Sequence, residues 1–236
     1  MTKSLSTTIS MLRQAGNADQ GYSTRLIEAC SRLGGKDGAP VHLHKIVSWY
    51  MSRDLHRIGD VFWLMTKVLD RCQHAEVRRI SALFSASCVE CVAHYYEALI
   101  PEDASLRNMI AAVRAFAGGT LGPSRLVETF AALFFCRARL SLLARNGKDV
   151  QCARMALDAA ELLPQVCLHP LTFLGPDGTE RVSLAAESPA HVAFDVFVST
   201  TDLAEESQTG DESPDRETKS QTRILLSLLE EECSEV

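Results

Sequence analysis

The 236-residue chain lacks several features that would place it in a well-marked class of protein. It has no run of about 18 apolar residues, so nothing in it predicts a membrane-spanning helix. Its first six residues contain no apolar run of the kind found in secretory signals, and we therefore expect a cytoplasmic protein. Aromatic residues make up only 6% of the chain, whereas alanine and leucine are frequent, which favours packed helices over a β-sandwich.

Signatures of the common catalytic classes are also missing. The sequence has no glycine-rich phosphate loop, no HExxH zinc motif, no G-x-S-x-G elbow and no kinase signature. We therefore expect neither enzyme activity nor a cofactor. A metal-dependent hydrolase assembled from distant positions stays open as an alternative, with His42, His44 and His56 as its candidate residues.

Eight cysteines are present, and most lie within apolar helical patterns. A secreted disulfide scaffold would place them in loops of a much shorter chain, so we expect reduced, buried thiols. Cys88, Cys91 and His94 follow one another at intervals of three residues, and with Cys72 or His74 they could supply four zinc ligands. A long helix lacks the tight turn of structural zinc sites, and we therefore expect no metal here.

Charge is distributed unevenly along the chain, whose net charge is −6. Residues 1–80 carry 12 Lys and Arg against 7 Asp and Glu, a net charge of +5. Residues 81–200 carry 9 against 12, a net charge of −3, and residues 201–236 carry 3 against 11, a net charge of −8. The basic first third leaves nucleic-acid association open as a second alternative, although no recognition motif for DNA or RNA accompanies it.

Hydrophobic periodicity predicts a mainly α protein, a helical bundle of about seven helices. Two well-marked helices flank Pro101: one covers 76–99, and the next runs from Ser105 to Ala117. A third opens at Pro123, because proline is favoured in a first helical turn. Further helices are predicted near 3–15, 23–34, 56–71 and 150–163.

A small β element is predicted after these helices. The segment 171–184 is typical of a β-hairpin around a Gly-Pro-Asp-Gly turn at 175–178. Residues 191–198 are rich in β-branched and aromatic side chains, which indicates a further strand. We expect this hairpin and strand to form an appendage on the helices.

The C-terminal region is predicted to be a flexible acidic tail that ends in a short helix. Residues 201–220 are rich in Asp, Glu, Ser and Thr, so they cannot bury enough apolar surface to become ordered. The helix predicted at 224–229 has an apolar edge formed by Leu225, Leu228 and Leu229. Because so short a helix is marginal in water, we expect this edge to dock on its own chain or in a groove on a partner.

Composition therefore divides the chain into four predicted regions. They are a basic helical region at 1–79, an alanine-rich helical core at 80–165, the β element at 166–200, and the acidic tail with its terminal helix at 201–236.

Five charged residues around Pro101 form the main candidate site. They are Glu90, Glu97, Asp103, Arg107 and Arg114. An antiparallel pair of helices joined at Pro101 would bring Arg107 towards Glu97 or Glu90. Arginine–carboxylate pairs fix geometry through bidentate hydrogen bonds, so the cluster is either a structural clamp on the hairpin or a polar recognition surface.

The stretch 87–119 resembles a bacterial family of helical immunity proteins from polymorphic toxin systems. The family pattern is a Cys-x-Glu helix, an aromatic-Glu pair, a Pro-x-Asp turn, an arginine, and then Ala-x-Arg-Ala-aromatic-Ala. The matching residues are Cys88 and Glu90, Tyr96 and Glu97, Pro101 and Asp103, Arg107, and Ala112, Arg114, Ala115, Phe116 and Ala117. The alanine-rich helices that follow are compatible with the same family, so the resemblance covers about 80–165.

The resemblance implies a non-catalytic inhibitor that binds a protein partner and covers its working surface. An immunity protein does this to a toxin, and a phage or mobile-element protein that blocks a host-defence effector would use the same physics. We expect the partner to meet the polar cluster, the leucine edge of the terminal helix, or both. The expected partner-binding residues are Glu90, Glu97, Asp103, Arg107, Arg114, Leu225, Leu228 and Leu229.

Overall fold

The structure of the protein is a computed structural model. It describes residues 5–16, 20–53, 57–168, 172–174, 180–182, 188–207 and 215–234. These residues are mainly helical, as the sequence predicts. The chain divides into two compact units: unit 1 contains residues 1–80 and 215–236, and unit 2 contains residues 81–214. The four regions drawn from composition stay a prediction.

The described residues contain eleven α-helices, so the predicted number of about seven is too low. In chain order they are α1 (Ile9–Ala15), α2 (Gln20–Arg32), α3 (Leu43–Met51), α4 (Ile58–Leu64), α5 (His74–Leu99), α6 (Ser105–Ala117), α7 (Pro123–Arg145), α8 (Gln151–Glu161), α9 (Leu163–Cys167), α10 (Pro189–Ser207) and α11 (Asp215–Ser234). A π-helical segment, Met65–Leu69, continues α4. Helices α9 and α10 lie where the sequence predicted none, and the terminal helix α11 was predicted separately from the bundle.

The three helices best marked in the sequence are confirmed with nearly the predicted bounds. Helix α5 covers His74–Leu99 and α6 covers Ser105–Ala117. Helix α7 begins with Pro123 in its first turn. Gly119, just beyond α6, has a φ of 73°, a left-handed conformation that favours glycine and ends the helix.

Short antiparallel strands occur in both units. In unit 1, β1 (Ser6–Thr7) pairs with β2 (Val41–His42), a contact that the sequence did not predict. In unit 2, β3 (Thr172–Leu174) pairs with β4 (Glu180–Val182), which confirms the predicted hairpin. Its predicted turn at 175–178 lies outside the described residues.

The strand predicted at 191–198 is wrong, because this segment belongs to helix α10. Ala193, Val196, Phe197 and Thr200 are buried at helical spacing, and α10 packs on α8 and α9. Tertiary packing of this stripe outweighs the weak strand preference of β-branched residues.

The flexible tail predicted at 201–220 is also wrong over most of its length. Residues 201–207 complete α10, residues 215–220 begin α11, and residues 208–214 lie outside the described residues. The Thr201 hydroxyl donates a hydrogen bond of 2.8 Å to the carbonyl oxygen of Phe197, so it is satisfied within the helix. Leu203 is fully buried. Its apolar contacts could not be expected from the mostly polar composition of the segment.

The terminal helix predicted at 224–229 extends over the whole of α11 and packs against α3 in unit 1. Gln221, Leu225 and Leu229 are buried at four-residue intervals, whereas Leu228 is half-buried. The terminal helix therefore docks on its own chain in this structure.

Unit 1 also contains a buried charge. Asp60 is 2% exposed and receives two hydrogen bonds from the Arg25 guanidinium, at 2.5 and 2.8 Å. The Tyr50 hydroxyl donates a third bond, at 3.1 Å. A buried carboxylate needs such partners, since an unpaired charge in the interior is strongly destabilising. The network ties α2, α3 and α4 together.

Each unit encloses apolar side chains that are completely removed from solvent. In unit 1 these include Leu12, Leu26, Ile46, Leu64 and Met65. In unit 2 they include Phe84, Tyr96, Leu106, Met109 and Leu157. None of the helices in the described residues has the length and apolar character that crossing a membrane requires.

We predict that Leu225→Ala lowers the free energy of unfolding by about 2–5 kcal/mol, because it removes a fully buried side chain and leaves a cavity against α3. Urea denaturation followed by circular dichroism measures the change. Glu231→Ala, at an exposed position of the same helix, is the control and should change stability little. Equal stability of the Leu225 variant and the wild type would contradict the docking of α11 on α3.

Candidate functional site

The turn between α5 and α6 sets the geometry of the candidate site. The backbone N–H of Asp103 donates to the carbonyl oxygen of Ile100, which closes the turn at Pro101. The Asp103 carboxylate then accepts from the backbone N–H of Ser105, the first residue of α6, at 2.9 Å. Asp103 thus satisfies a backbone N–H at this helix start, where a negative charge is also favoured by the helix dipole.

Two arginine–glutamate pairs bridge α5 and α6. Arg107 donates from Nε and Nη2 to the two oxygens of Glu97, at 2.5 and 2.7 Å. Arg114 donates from Nη1 and Nη2 to the two oxygens of Glu90, at 3.1 and 2.5 Å. The two glutamates are seven residues apart, and so are the two arginines. Seven residues are about two helical turns, so antiparallel helices bring both ion pairs into register. The sequence left open whether Arg107 pairs with Glu97 or with Glu90, and in the structure it pairs with Glu97.

The pairs stabilise the charged form of every group in them. Hydrogen bonding by Arg114 and by Arg107 lowers the pKa of Glu90 and the pKa of Glu97, respectively. The same hydrogen bonds raise the pKa of each arginine. The four groups therefore remain ionised around neutral pH, and their charges cancel in pairs.

A cleft of about 430 Å³ lies between the two helices at these pairs. It is lined by Glu90, Ala93, His94, Glu97, Arg107, Ile110, Ala111 and Arg114. Ala93 and Ile110 are buried and give the cleft an apolar floor. The side chain of Arg107 is 73% exposed and that of Glu90 is 56% exposed, so the charges form an accessible rim. We call this set of residues the Arg–Glu cleft.

Asp103, the fifth member of the predicted cluster, is not part of the Arg–Glu cleft. Its side chain is 9% exposed and accepts hydrogen bonds from the Tyr96 hydroxyl at 3.0 Å and from Arg139 Nη1 at 2.9 Å. Burial acts to raise the pKa of Asp103, but the hydrogen bonds from Ser105 and Tyr96 and the charge of Arg139 outweigh it and lower the pKa. Asp103 thus joins α5, α6 and α7, and its expected role in partner binding stays a prediction.

The cysteine–histidine spacing does not produce a ligand set. Cys88 is fully buried, whereas Cys91 is exposed. His94 Nδ1 lies 2.9 Å from the carbonyl oxygen of Cys91, and its ring lies against that of Tyr95. His74, considered as a fourth ligand, contacts Asp70 and Arg78 instead. Among the described residues no group of three metal-binding side chains comes together.

The histidines of the alternative hydrolase site are only partly described. The rings of His42 and His44 are stacked, with centroids 5.7 Å apart. His42 is the last residue of β2 and His44 the second residue of α3. Burial, followed by the charges of His42 and Lys45, lowers the pKa of His44. His56 lies outside the described residues. The hydrolase alternative stays a prediction.

Basic residues of the first third form ion pairs in unit 1. Arg13 pairs with Asp37 at 2.7 Å, and Arg25 is held by the buried Asp60. These pairs reduce the local positive field that nucleic-acid association would require. The nucleic-acid alternative stays a prediction.

The leucines expected to meet a partner are mostly covered by their own unit. Leu225 and Leu229 are buried where α11 meets α3, and Leu228 is half-buried. A partner could reach Leu225 or Leu229 only if α11 left α3. Their role in partner binding remains a prediction, and the Arg–Glu cleft is the more accessible candidate.

Sequence reasoning missed two features of the site. Arg139 binds Asp103 from 36 positions away, a separation that leaves no local signal. The apolar floor was also missed, because Ala93 and Ile110 look like ordinary core residues in the helical pattern. In the sequence, however, Ala93 lies between Glu90 and Glu97. Ile110 likewise lies between Arg107 and Arg114, and these positions could have indicated the floor.

We predict that Asp103→Asn lowers the free energy of unfolding at pH 7 by about 1–3 kcal/mol, because charge-assisted hydrogen bonds to Arg139, Tyr96 and Ser105 are weakened. The pKa of Asp103 is lowered by folding, so its stabilisation is present above the unfolded pKa of about 3.9 and is lost as pH falls through the lower folded value. Urea denaturation at pH 7 and pH 3 checks both statements.

The matched control for this variant is Glu102→Gln, at the exposed neighbouring position, which should have little effect at either pH. A stability difference for Asp103→Asn that is as large at pH 3 as at pH 7 would show that the carboxylate charge is not what stabilises the turn.

Comparisons of the chain with protein-family models, with curated proteins and with solved structures each found no match. The resemblance of 87–119 to immunity proteins therefore stays a prediction.

Proposed function

We propose that this chain is a non-catalytic inhibitor that binds a protein partner, either a toxin or a host-defence effector, and occludes its working surface. The observation that carries the proposal is the Arg–Glu cleft. It presents two bidentate ion pairs side by side, with charged groups at the rim and an apolar floor between them.

This arrangement suits recognition because its charges are held in fixed positions. Bidentate pairing orients each guanidinium and carboxylate, and part of each pair stays accessible. Fixed charges of both signs select a partner with the complementary pattern and penalise one with like charges. The apolar floor allows a partner side chain to bury surface between the charges.

The same electrostatics make the paired groups poor catalysts. A general acid or base works best with a pKa near the working pH. Pairing moves the pKa values of Glu90 and Glu97 down and those of Arg107 and Arg114 up, in each case away from neutrality. A binding role therefore agrees better with these four residues than proton transfer does.

The first experiment identifies and tests the partner. The tagged chain is used as bait in lysates of bacteria that carry toxin or phage-defence systems, and captured proteins are purified. The proposal expects one of them to lose its own activity when the chain is added in stoichiometric amounts. A captured protein that keeps full activity when saturated with the chain would contradict occlusion.

We predict that exchanging the charges of one pair, Glu97→Arg with Arg107→Glu, weakens binding to that partner at least about tenfold. The exchanged pair can still form its ion pair, so the fold is retained, but the partner meets the opposite pattern of charge. Isothermal titration calorimetry measures affinity, and thermal unfolding monitors the fold.

The control exchanges Arg13 with Asp37, an accessible ion pair of unit 1, and should leave affinity unchanged. The exchange at Glu97 and Arg107 separates the two interpretations of the cluster. Wild-type affinity in that variant would mean that the pair is a structural clamp, and the proposed recognition surface would be rejected.

A further inference from the structure

Helix α7 exposes an apolar face. Phe134 is 62% exposed and Phe135 is 74% exposed, and Val127 and Leu142 are 48% and 57% exposed. Ala131, which is exposed like Ala138, lies between them along the helix. We call the set of Val127, Ala131, Phe134, Phe135, Ala138 and Leu142 the α7 stripe. The opposite face of the helix is buried and carries Leu126, Leu133, Cys136 and Leu140.

The stripe is too large to be an ordinary scatter of exposed apolar residues. Taking about 200 Å² for a fully exposed phenylalanine, the two phenylalanines alone present roughly 270 Å². With Val127 and Leu142 the patch reaches a few hundred Å², the size of the largest apolar patch on a typical monomer, and such a patch is often functional. Phe130 packs edge-on against Phe134, with ring centroids 5.5 Å apart, and holds that ring in place.

The stripe is symmetric about its own centre. Val127 lies seven residues before Phe134, and Leu142 lies seven residues after Phe135. Ala131 and Ala138 lie three residues before and three residues after the same two phenylalanines. An antiparallel second copy of α7, related by a two-fold axis between Phe134 and Phe135, would therefore place Val127 opposite Leu142 and Ala131 opposite Ala138. The small alanines allow the two helices to approach closely on either side of the central phenylalanines.

The charges beside the stripe match the same arrangement. Glu128 and Arg139 are eleven residues apart, about three turns, so they lie on one edge of the helix. In a two-fold antiparallel pair this edge meets its own counterpart, and Glu128 lies level with Ser141 of the second copy. Arg139 of the second copy is two residues from that Ser141, about 3 Å along the helix axis, and so lies near Glu128. Opposite charges therefore lie near each other twice, in addition to the ion pairs that Glu128 forms with Arg125 and Arg139 forms with Asp103 within each chain.

We propose that the α7 stripe binds a second copy of this chain, with the two α7 helices antiparallel across a two-fold axis. A two-fold interface needs one patch that is complementary to itself, and the symmetric spacing of large, small and charged residues meets that requirement. The modest area predicts a reversible dimer rather than an obligate one. This inference concerns α7 and does not depend on the function proposed for the Arg–Glu cleft.

Sedimentation velocity of the full chain, from about 1 to about 200 µM, tests the dimer over the concentrations at which weak, reversible association is observed. The wild type should shift from monomer to dimer with concentration. Phe134→Asp and Phe135→Asp should each raise the dissociation constant at least about tenfold, since each places a charge at the centre of the interface. Val198→Asp, at an exposed apolar position of α10, is the control and should leave the constant unchanged.

A monomer across the whole concentration range would overturn the proposal, and so would a dimer that both phenylalanine variants leave intact. Both positions are well exposed, so the variants should fold, and circular dichroism checks this. A wild type that is monomeric alone but binds a different protein through the stripe would also overturn it.

Disulfide trapping tests the antiparallel geometry without disturbing the phenylalanines. In a background where the exposed Cys72 and Cys91 are changed to serine, Ala131→Cys with Ala138→Cys should give a covalent dimer on mild oxidation. Each single variant should give little covalent dimer, because the two copies of its introduced cysteine would lie about 10 Å apart along the helix axes. Efficient trapping by both single variants would overturn the antiparallel arrangement.

Discussion

In unit 2, arginine side chains form ion pairs with carboxylates on neighbouring helices. These ion pairs determine how the helices are rotated relative to one another. Arg107 and Arg114 join α6 to α5, Arg139 joins α7 to the turn at Asp103, and Arg137 joins α7 to Glu161 on α8. Accessible ion pairs of this kind add little free energy individually, and buried apolar contact supplies most of the stability. What the pairs provide is orientation, because a bidentate contact is satisfied at only one rotation of the two helices.

Both candidate interaction surfaces depend on that orientation. Pairing across α5 and α6 creates the charged rim of the Arg–Glu cleft and leaves its apolar floor open. The contacts of Arg137 and Arg139 on the flanks of α7 fix the direction in which the α7 stripe faces. One surface is polar and electrically balanced, and the other is apolar and symmetric. We propose a charged protein partner for the first surface and another copy of the chain for the second.

The sequence predicted well the features that depend on residues close together in the chain. The ion pairs of the cleft were within reach because a seven-residue spacing on each side of one turn places the residues in register. It was a poor guide where distant residues decide. Asp103 was expected beside the other charges, but Arg139 holds it on another face of the hairpin. Residues 191–198 have strand preferences, yet α8 and α9 bury one stripe of that segment as a helix.

The sequence by itself determined the mainly helical character, the bounds of α5 and α6 and the hairpin of β3 and β4, because hydrophobic period, proline and glycine positions act over a few residues. Only the tertiary structure decided that α11 packs on α3, that α10 is helical, and that the apolar residues of α7 divide into a buried face and an exposed stripe. Periodicity shows that a helix has apolar residues, but which of them meet a neighbour depends on packing between segments far apart in the chain.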